Sequence, residues 1–529
     1  MNLHKTKTPI EISAKGQTIN VAQQSENCSS PSLTCSSFKW PICLFMLLFY
    51  VVCQAQPYQQ EIDRVDKFID SVKARFSEIP GLSITIVKNN ETVFTKGYGY
   101  ADIESKELVS ANSAFYIASA TKSFIGALAV ILEKEGWVDL QAPLTNYKPF
   151  KELSNHALFD DLTITHLLNH TSGLTNNFIT FRSSYLGNLS HKKTIELLET
   201  ATQKTDSKYE YSNLGYNLFA LLLSEEFGDD WRNLLREKIF EPIRMINTSS
   251  IISNNGSMAK PYISAQPEGT IEGSMKTDAL MHSAGGLVSS VADIAQWIKF
   301  NLSNGGLGNS QPYKGVISKS HKQTVKYPEE KGQIFTDNGY ALGWHNGTYK
   351  NKQVVYHFGG YIGYQSHISF IPDEDLGVAV FANEQHFGDN LNSIIASYAY
   401  DLLLGLEPDE TEYESKLKDL EGFIENLKNN SIERDKQTKQ YDLRLSTKLE
   451  AYTGTYKNDF MGDVIVTIEK ETLSFRFGEL SAIAVPTANE DMILAELIPG
   501  RPMDFLFHVT EQGEVKEISG GGLQFVKVE

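Results

Sequence analysis

Apolar side chains recur at helical spacing early in the chain and alternate with polar side chains in several later segments. Residues 60–78 have apolar positions every three or four residues, which predicts an amphipathic helix. Residues 80–102 alternate on both sides of Asn89-Asn90, and this predicts two strands joined by a tight turn. Alternation returns in residues 354–384, which predicts three consecutive strands.

Strands at both ends of a long segment, with helices between them, indicate the fold class. Residues 140–310 mix short helices with turns rich in glycine, asparagine and serine. We therefore predict that residues 56–408 form an α+β domain, in which helices flank an antiparallel sheet and an all-helical subdomain is inserted. Residues 409–447 are strongly charged with a narrow apolar stripe, which predicts a linker helix. Alternation in residues 448–529 predicts a small antiparallel β-barrel-like domain.

The first 55 residues have the features of an export signal. Residues 40–53 are an apolar run about as long as a signal-peptide core and shorter than a typical membrane-spanning helix. Ala55 supplies a small residue at a plausible cleavage point. We predict a leader over residues 1–55 and a protein that is periplasmic or secreted, with a membrane anchor as the alternative if the leader is not cleaved. The leader holds every cysteine of the chain: Cys28, Cys35, Cys43 and Cys53.

The overall charge excludes one class of partner. The chain of 529 residues has a formal net charge of −17, whereas phosphate binding needs concentrated lysine and arginine. Nucleic acid is therefore not expected as a partner. The expected partners are a small-molecule or peptide substrate and, through the N-terminal segment, a membrane or the cell envelope.

Candidate chemistry begins with a serine and a lysine three residues apart. This spacing occurs five times, at Ser36, Ser119, Ser190, Ser257 and Ser415, so spacing alone does not identify a catalytic pair. Only Ser119 opens a nearly all-apolar helix, predicted over residues 119–135, which places Lys122 one turn away on a buried face. Burial lowers the pKa of a lysine and lets it act as a general base. The alternative is that Ser119 caps the helix while Lys122 extends into solvent.

A second candidate lies before another apolar helix. Tyr211 and Asn213 put a phenol and an amide on a predicted turn. A phenol held near a lysine can take or give a proton. The alternative is a core tyrosine beside an asparagine that caps the helix.

A third candidate ends one of the predicted strands. His357 is followed by Phe358 and by Gly359-Gly360, and glycines at such a place allow the backbone to approach a ligand closely. The backbone N–H near Gly360 could pair with that of Ser119 as an oxyanion hole. The alternative is an ordinary hairpin with an incidental histidine.

Taken in order, these motifs resemble the serine β-lactamase and penicillin-binding-protein superfamily, in its class C β-lactamase-like branch. The motifs are Ser119-x-x-Lys122, Tyr211-x-Asn213 and His357-x-Gly359. The stretches ITHLLNHTSGL (164–174), SAGGLVSSVADIAQW (283–297) and YALGW (340–344) resemble phrases of the same superfamily. The resemblance covers about residues 60–405, and the C-terminal region is similar to the β-barrel domain often appended to such hydrolases.

The resemblance implies an enzyme that forms an acyl-enzyme on Ser119. Lys122 would activate the serine, and Tyr211 would be the acid and base for the leaving group and the deacylating water. Asn213 would orient Lys122 and the amide of the substrate. No cofactor is implied.

One departure from the superfamily pattern bears on the substrate. His357 stands where lactamases and many transpeptidases carry the lysine of Lys-Thr-Gly, and a neutral histidine is a poorer partner for a carboxylate. An esterase or a D-amino-acid peptidase is therefore favoured over a β-lactamase or D,D-carboxypeptidase, and a non-catalytic binding protein is a further alternative. The pocket wall is expected from the loops around 175–208 and 250–282. No metal is assigned, since His166 and His170 have zincin spacing without the glutamate.

Overall fold

The structure is a computed structural model. It describes residues 57–187, 189–254, 257–307, 311, 313–332 and 334–528. The part of the chain from Pro57 onward forms one compact unit. The predicted leader and its cysteines lie outside the described residues. No helix within the described ranges is long and apolar enough to cross a membrane.

The largest element is a nine-stranded antiparallel sheet, as the alternating segments predict. Across the sheet its strands are Val325–Lys331, Thr336–Tyr340, His345–Tyr349, Lys352–Tyr361, Tyr364–Ile371, Leu376–Ala382, Gly81–Lys88, Glu91–Asp102 and Glu107–Leu108. The N-terminal hairpin joins the C-terminal strands through the pair Gly81–Lys88 and Leu376–Ala382. Asn89 and Asn90 have φ of 52° and 60°, which fits the tight turn predicted there.

Helices cover both faces of this sheet. In the strand Leu376–Ala382, Val378 and Val380 belong to one hydrophobic cluster, with the helices Gln59–Arg75 and Gly388–Leu403. Ala379 and Phe381 of the same strand belong to a second cluster, with the helices Thr121–Lys134, Leu214–Phe227 and Val291–Leu302. A strand buried on both faces is apolar throughout. The observed layers therefore confirm the predicted α+β class.

Shorter elements fill the segment between the N-terminal and C-terminal strands. Its remaining α-helices are Lys148–Lys151, Ile164–Leu168, Asn177–Phe181, His191–Ala201, Trp231–Leu235, Glu241–Ile243 and Ser318–His321, with π-helical turns at Arg182–Leu186 and Arg236–Phe240. Three short strand pairs join Phe115–Tyr116 to Val288–Ser289, Leu174–Thr175 to Gln203–Lys204, and Tyr262–Gln266 to Gly269–Glu272. This region is the predicted insertion, and it differs from the predicted all-helical subdomain by these three strand pairs.

The charged segment forms the long helix Glu410–Thr438. Leu417, Leu420 and Ile424 of its apolar stripe are buried, and they belong to the same hydrophobic cluster as Val378 and Val380 of the sheet. Arg75 pairs with two glutamates of this helix, at 2.8 Å and 2.6 Å. The helix is thus packed along the main domain for part of its length, and the domain boundaries at 408 and 448 stay predictions.

The C-terminal strands close into an eight-stranded barrel. They are Gly454–Asn458, Gly462–Glu469, Thr472–Phe477, Leu480–Pro486, Met492–Ile498, Arg501–Val509, Val515–Gly520 and Leu523–Lys527. Fully buried side chains such as Tyr456, Phe475 and Phe505 share one cluster inside it. The predicted barrel-like domain is confirmed, and its interior is a packed core.

A bend of the sheet meets the helix Thr121–Lys134 at very short range. Gly343 has φ of 82°, and a Cβ atom there would lie 2.1 Å from the carbonyl oxygen of Lys122. Gly126 faces the same bend, where a Cβ atom would lie 1.8 Å from the carbonyl oxygen of Leu342. Only glycine allows two backbones to approach this closely. The contact fixes the start of the helix against the sheet.

The variant Gly343→Ala is expected to lower the free energy of unfolding by about 3 kcal/mol, because it combines a positive φ with a backbone clash. Gly136→Ala is the matched control, since Gly136 has φ of 79° and nothing within 4 Å of the added atom. Its cost should be only about 1 kcal/mol, from φ alone. Urea titrations of both variants measure the difference. Equal costs would show that the bend relaxes away from the helix.

Candidate active site

Ser119 lies in the 3-10 turn Ala118–Ala120, immediately before the helix Thr121–Lys134. The helix starts two residues later than predicted, and Ala120 occupies its N-cap position without a side-chain hydrogen bond. The alternative that Ser119 is a helix cap is therefore wrong. Ala118 has φ of 46°, a left-handed conformation that alanine rarely adopts. Strain of this kind is concentrated at functional sites.

Lys122 is fully buried, with 0% of its surface exposed. Its Nζ lies 3.1 Å from Ser119 Oγ and donates to Asn213 Oδ1 at 2.8 Å and to the carbonyl oxygen of Ala284 at 2.8 Å. The alternative in which Lys122 extends into solvent is wrong. Burial holds the pKa of Lys122 well below its ordinary value of 10.5, and the positive charge of Lys276 lowers it further.

Tyr211 and Asn213 both reach this pair from the turn before the helix Leu214–Phe227. Tyr211 is 41% exposed as a residue, while its hydroxyl is buried and interacts with Ser119, and its ring centre lies 4.9 Å from Lys122 Nζ. Burial of the hydroxyl raises its pKa, and the interaction with Ser119 opposes that rise. Asn213 occupies the N-cap position but makes no capping hydrogen bond, because its side chain accepts from Lys122.

His357 lies in the strand Lys352–Tyr361 and is buried. Its Nδ1 lies 2.7 Å from the carbonyl oxygen of Phe358, which can only accept, so Nδ1 carries the proton. Its Nε2 therefore accepts from the hydroxyl of Tyr340 at 3.0 Å. Burial holds the pKa of His357 well below 6.5, and the nearby His345 and Lys122 side chains lower it further. The imidazole is neutral at physiological pH.

The glycines after His357 bring this strand onto the serine turn. A Cβ atom on Gly359 would lie 2.0 Å from the carbonyl oxygen of Ile117, two residues before Ser119. The same carbonyl accepts a hydrogen bond of 2.8 Å from Ser366 on the neighbouring strand. Gly360 is exposed at the cavity, where the nearest atoms to an added Cβ belong to the side chain of Gln365. Gly359 is thus required for the close approach of this strand to the serine turn, and the predicted approach of the backbone to a ligand stays a prediction.

A cavity of about 980 Å³ connects these groups. Five of the predicted residues line it: Ser119, Tyr211, His357, Gly359 and Gly360. Lys122 and Asn213 lie behind Ser119. Part of the wall comes from what we call the rim hairpin, the strands Val325–Lys331 and Thr336–Tyr340.

The loops around 175–208 and 250–282, expected to form the pocket wall, contribute little of it, since Tyr209, just after the first loop, is their one contribution among the described lining residues. The first of these loops packs on the barrel instead. Phe178 stacks on Phe460 with ring centres 5.1 Å apart, and Arg182 donates to the carbonyl oxygen of Phe460 at 3.0 Å.

Sequence reasoning missed a second buried lysine. Lys276 is 3% exposed, and its Nζ donates to the hydroxyl of Tyr116 at 2.5 Å between the rings of Tyr116 and Tyr361, at 4.5 Å and 4.4 Å. Burial holds its pKa well below the ordinary value. Tyr116 in turn donates to the carbonyl oxygen of Gly285, next to the Ala284 carbonyl that accepts from Lys122.

The two histidines with zincin spacing have other roles. His166 completes a capping box with Thr163 at the start of the helix Ile164–Leu168. His170 accepts from the backbone N–H of Ser212, and its ring centre lies 4.4 Å from that of Tyr211. In the described part of the chain, no three His, Cys, Asp or Glu side chains are placed to hold a metal ion.

This geometry can be set beside known proteins. The Beta-lactamase family model matches residues 69–399. The chain belongs to this family. Its motifs are those of the serine β-lactamase and penicillin-binding-protein superfamily. The chain is 28% identical to Protein flp of Staphylococcus aureus (strain N315) over 332 residues, which is 61% of this chain and 63% of that protein. The chain thus spans about three fifths of that relative.

Other proteins match over longer stretches. The unguisins hydrolase of Aspergillus violaceofuscus is 24% identical over 425 residues, 74% of each chain. Among solved structures, the octameric penicillin-binding protein homologue from Pyrococcus abyssi has a TM-score of 0.56 at 24% identity, covering 88% of this chain and 100% of that one. A D-amino acid amidase from Ochrobactrum anthropi SV3 has a TM-score of 0.54 at 20% identity, covering 66% and 99%. These structural likenesses show the shared fold.

Proposed function

We propose that this protein is an exported serine hydrolase that cleaves ester or amide bonds through an acyl-enzyme on Ser119. One observation carries the proposal, namely the partners of Lys122. A neutral amine has two N–H groups and one lone pair. Asn213 Oδ1 and the Ala284 carbonyl can only accept, so they take the two N–H groups. The lone pair is then directed at Ser119 Oγ, 3.1 Å away, as a general base requires.

The acylation step follows from these contacts. Ser119 Oγ attacks the carbonyl carbon of the substrate, and its proton moves to Lys122 Nζ. Tyr211 gives its phenolic proton to the leaving oxygen or nitrogen and is reprotonated from Lys122, so the net transfer runs from Ser119 to the leaving group. The raised pKa of Tyr211 keeps that proton available at neutral pH. In deacylation a water molecule attacks the carbonyl carbon of the acyl-enzyme and gives a proton to Tyr211, which passes its own proton to Lys122. Lys122 returns a proton to Ser119 Oγ as the bond between Oγ and the acyl group breaks.

The oxyanion of the tetrahedral intermediate needs donors at the same place. We assign this role to the backbone N–H groups of Ser119 and of the segment near Gly360, which line one cavity. The close approach that Gly359 allows supports this assignment. Asn213 holds Lys122, and its contact with the amide of the substrate stays a prediction.

The neutral state of His357 argues for esters and D-amino-acid amides or peptides over β-lactams. A β-lactam carries a carboxylate that a lysine ordinarily meets at this position, and a neutral imidazole supplies no such charge. The fold shared with a D-amino acid amidase supports the same choice. Membership of the Beta-lactamase family favours the second candidate, hydrolysis of β-lactams or of cell-wall peptides as a D,D-carboxypeptidase. Export rests on the apolar run at residues 40–53.

A fluorophosphonate probe tests the acyl-enzyme directly. The full chain is labelled, digested and mapped by mass spectrometry, and the adduct is expected on the peptide that contains Ser119. An adduct on another serine would overturn the assignment, and no adduct would favour a non-catalytic binding protein. Esters, D-alanyl amides and a cephalosporin assayed side by side then separate the two enzyme candidates. We expect turnover of the first two to exceed that of the cephalosporin.

The variant Lys276→Met is expected to move the acid limb of the pH dependence of kcat/KM to higher pH. A positive charge at Lys276 disfavours protonation of Lys122, so removing it raises the pKa of the base. A higher pH is then needed to keep the base neutral. Tyr116→Phe is the control, because it keeps both lysines and removes only the hydroxyl between Lys276 and Gly285. An unmoved limb in Lys276→Met would show that Lys276 is itself neutral in the working range.

A further inference from the structure

The rim hairpin gives the catalytic cavity an acidic wall, which we define as Glu329, Glu330 and Asp337. None of the described residues that line the cavity is a lysine or an arginine. The lysines of the hairpin strand, Lys326 and Lys331, are exposed and lie outside that lining. Carboxylates in a cleft focus a negative potential and raise the local concentration of cations. The formal net charge of −17 acts in the same direction.

Aromatic rings stand beside these carboxylates. Tyr209 and Tyr327 line the cavity, with ring centres 4.7 Å apart. The hydroxyl of Tyr327 donates to Asp337 Oδ2 at 2.9 Å, so that the wall is built into the hairpin. Tyr211 continues the aromatic surface towards Ser119. The faces of tyrosine rings attract ammonium groups, most strongly where water is excluded.

The lining of the same cavity includes a buried histidine with one ring nitrogen that has no partner among the described residues. His367 lines the cavity and is 1% exposed, with Nε2 paired to Ser369 at 2.7 Å. Its Nδ1 has no hydrogen-bond partner among the described residues. Burial lowers the pKa of His367 to about 3, so the ring is neutral and does not repel a cation. An unsatisfied buried nitrogen leaves room for a partner from outside the described residues, either a water molecule or a polar group of a ligand.

We propose that the cavity selects acyl substrates that carry an ammonium or quaternary ammonium group, held by the acidic wall and the tyrosines while the scissile carbonyl lies at Ser119. This inference rests on the acyl-transfer function proposed above and names its substrate class. The cavity offers such a group three tyrosine rings and the acidic wall, in which Glu329 and Glu330 are exposed and Asp337 is half-buried, 3.0 Å from His345 Nδ1. An anionic acyl group would meet these carboxylates with no lining lysine or arginine.

A pair of isosteric esters isolates the charge. The p-nitrophenyl ester of 4-(trimethylammonio)butyrate differs from that of 5,5-dimethylhexanoate only by nitrogen in place of carbon. For the full-chain protein, kcat/KM is expected to be at least about tenfold higher for the cationic ester. The double variant Glu329→Gln, Glu330→Gln should lower that ratio severalfold, and so should sodium chloride at about 0.5 M. The mono-p-nitrophenyl ester of glutarate, an anion, should be the poorest of the three.

A matched control removes the same charge elsewhere. Glu469 and Glu471 are exposed at a turn of the barrel and do not line the cavity. The double variant Glu469→Gln, Glu471→Gln should keep the wild-type ratio. An equal loss in both double variants would show only an effect of net charge, and a wild-type ratio near one would overturn the proposal.

Binding separates this proposal from the proposed catalysis. In Ser119→Ala, calorimetry with 4-(trimethylammonio)butyramide and 5,5-dimethylhexanamide is expected to give at least about tenfold tighter binding of the cation. If the fluorophosphonate labels Ser119 but both amides bind equally, the acyl-enzyme stands and the charge selection fails. If no label forms and the cation still binds more tightly, the cavity selects cations and the hydrolase assignment fails.

Discussion

Ser119→Ala is expected to lower kcat for the best ester substrate by about 10⁴-fold or more, because the variant removes the hydroxyl that Lys122 contacts. The variant removes one side-chain oxygen from a turn whose backbone is held by the contacts of Gly359 and Ser366 with the carbonyl of Ile117. The hydroxyl makes no helix-capping bond, so its loss should change the free energy of unfolding by less than about 1 kcal/mol. Initial-rate kinetics and a urea titration of the same preparation measure both quantities.

Ser123→Ala is the matched control for this loss. Ser123 is a buried serine one turn further along the helix, and its hydroxyl donates to the carbonyl oxygen of Ala120 at 2.7 Å. It should keep kcat within a few-fold while losing about 1 kcal/mol of stability. Activity and stability would thus separate in opposite ways in the two variants. A Ser119→Ala enzyme with near-normal kcat would place the nucleophile elsewhere in the cavity.

Much of the fold could be predicted because its signals are local. The turn at Asn89-Asn90 needs two residues at positive φ, which asparagine tolerates, and alternation on both sides sets the register of the hairpin. The doubly buried strand Leu376–Ala382 is apolar throughout because both faces pack against helices. Closure of the barrel is different, since it depends on pairing of Gly454–Asn458 with Leu523–Lys527, the first strand with the last.

The residues of the candidate site also differ in whether their signal in the sequence is local. Ser119 and Lys122 could be predicted because one apolar helix buries the lysine a turn away from the serine. Lys276 could not be predicted, because its Nζ lies between the rings of Tyr116 and Tyr361, which are distant in the sequence and lie on separate strands. The acidic wall was missed for a similar reason. Only the pairing of the rim hairpin at the edge of the sheet carries its carboxylates to the cavity of Ser119.

Lys122→Met should lower kcat by about 10³-fold, within the range that a general base contributes. Lys122→Arg should be equally impaired, because a guanidinium keeps the charge but cannot give up its proton. Comparing the two separates a base from a mere positive charge at this position. If the arginine variant kept most of the activity, Lys122 would act by charge, and the proton of Ser119 would have another acceptor.

The pH dependence of the wild type gives the same answer without a substitution. Only the neutral amine of Lys122 accepts a proton, and burial holds its pKa well below 10.5. kcat/KM should therefore rise with pH and reach its plateau far below the pH at which an exposed lysine loses its proton. In Lys122→Met this rise should be absent from the residual activity. Lys134→Met, at an exposed lysine in the last turn of the same helix, should keep both the rate and the limb.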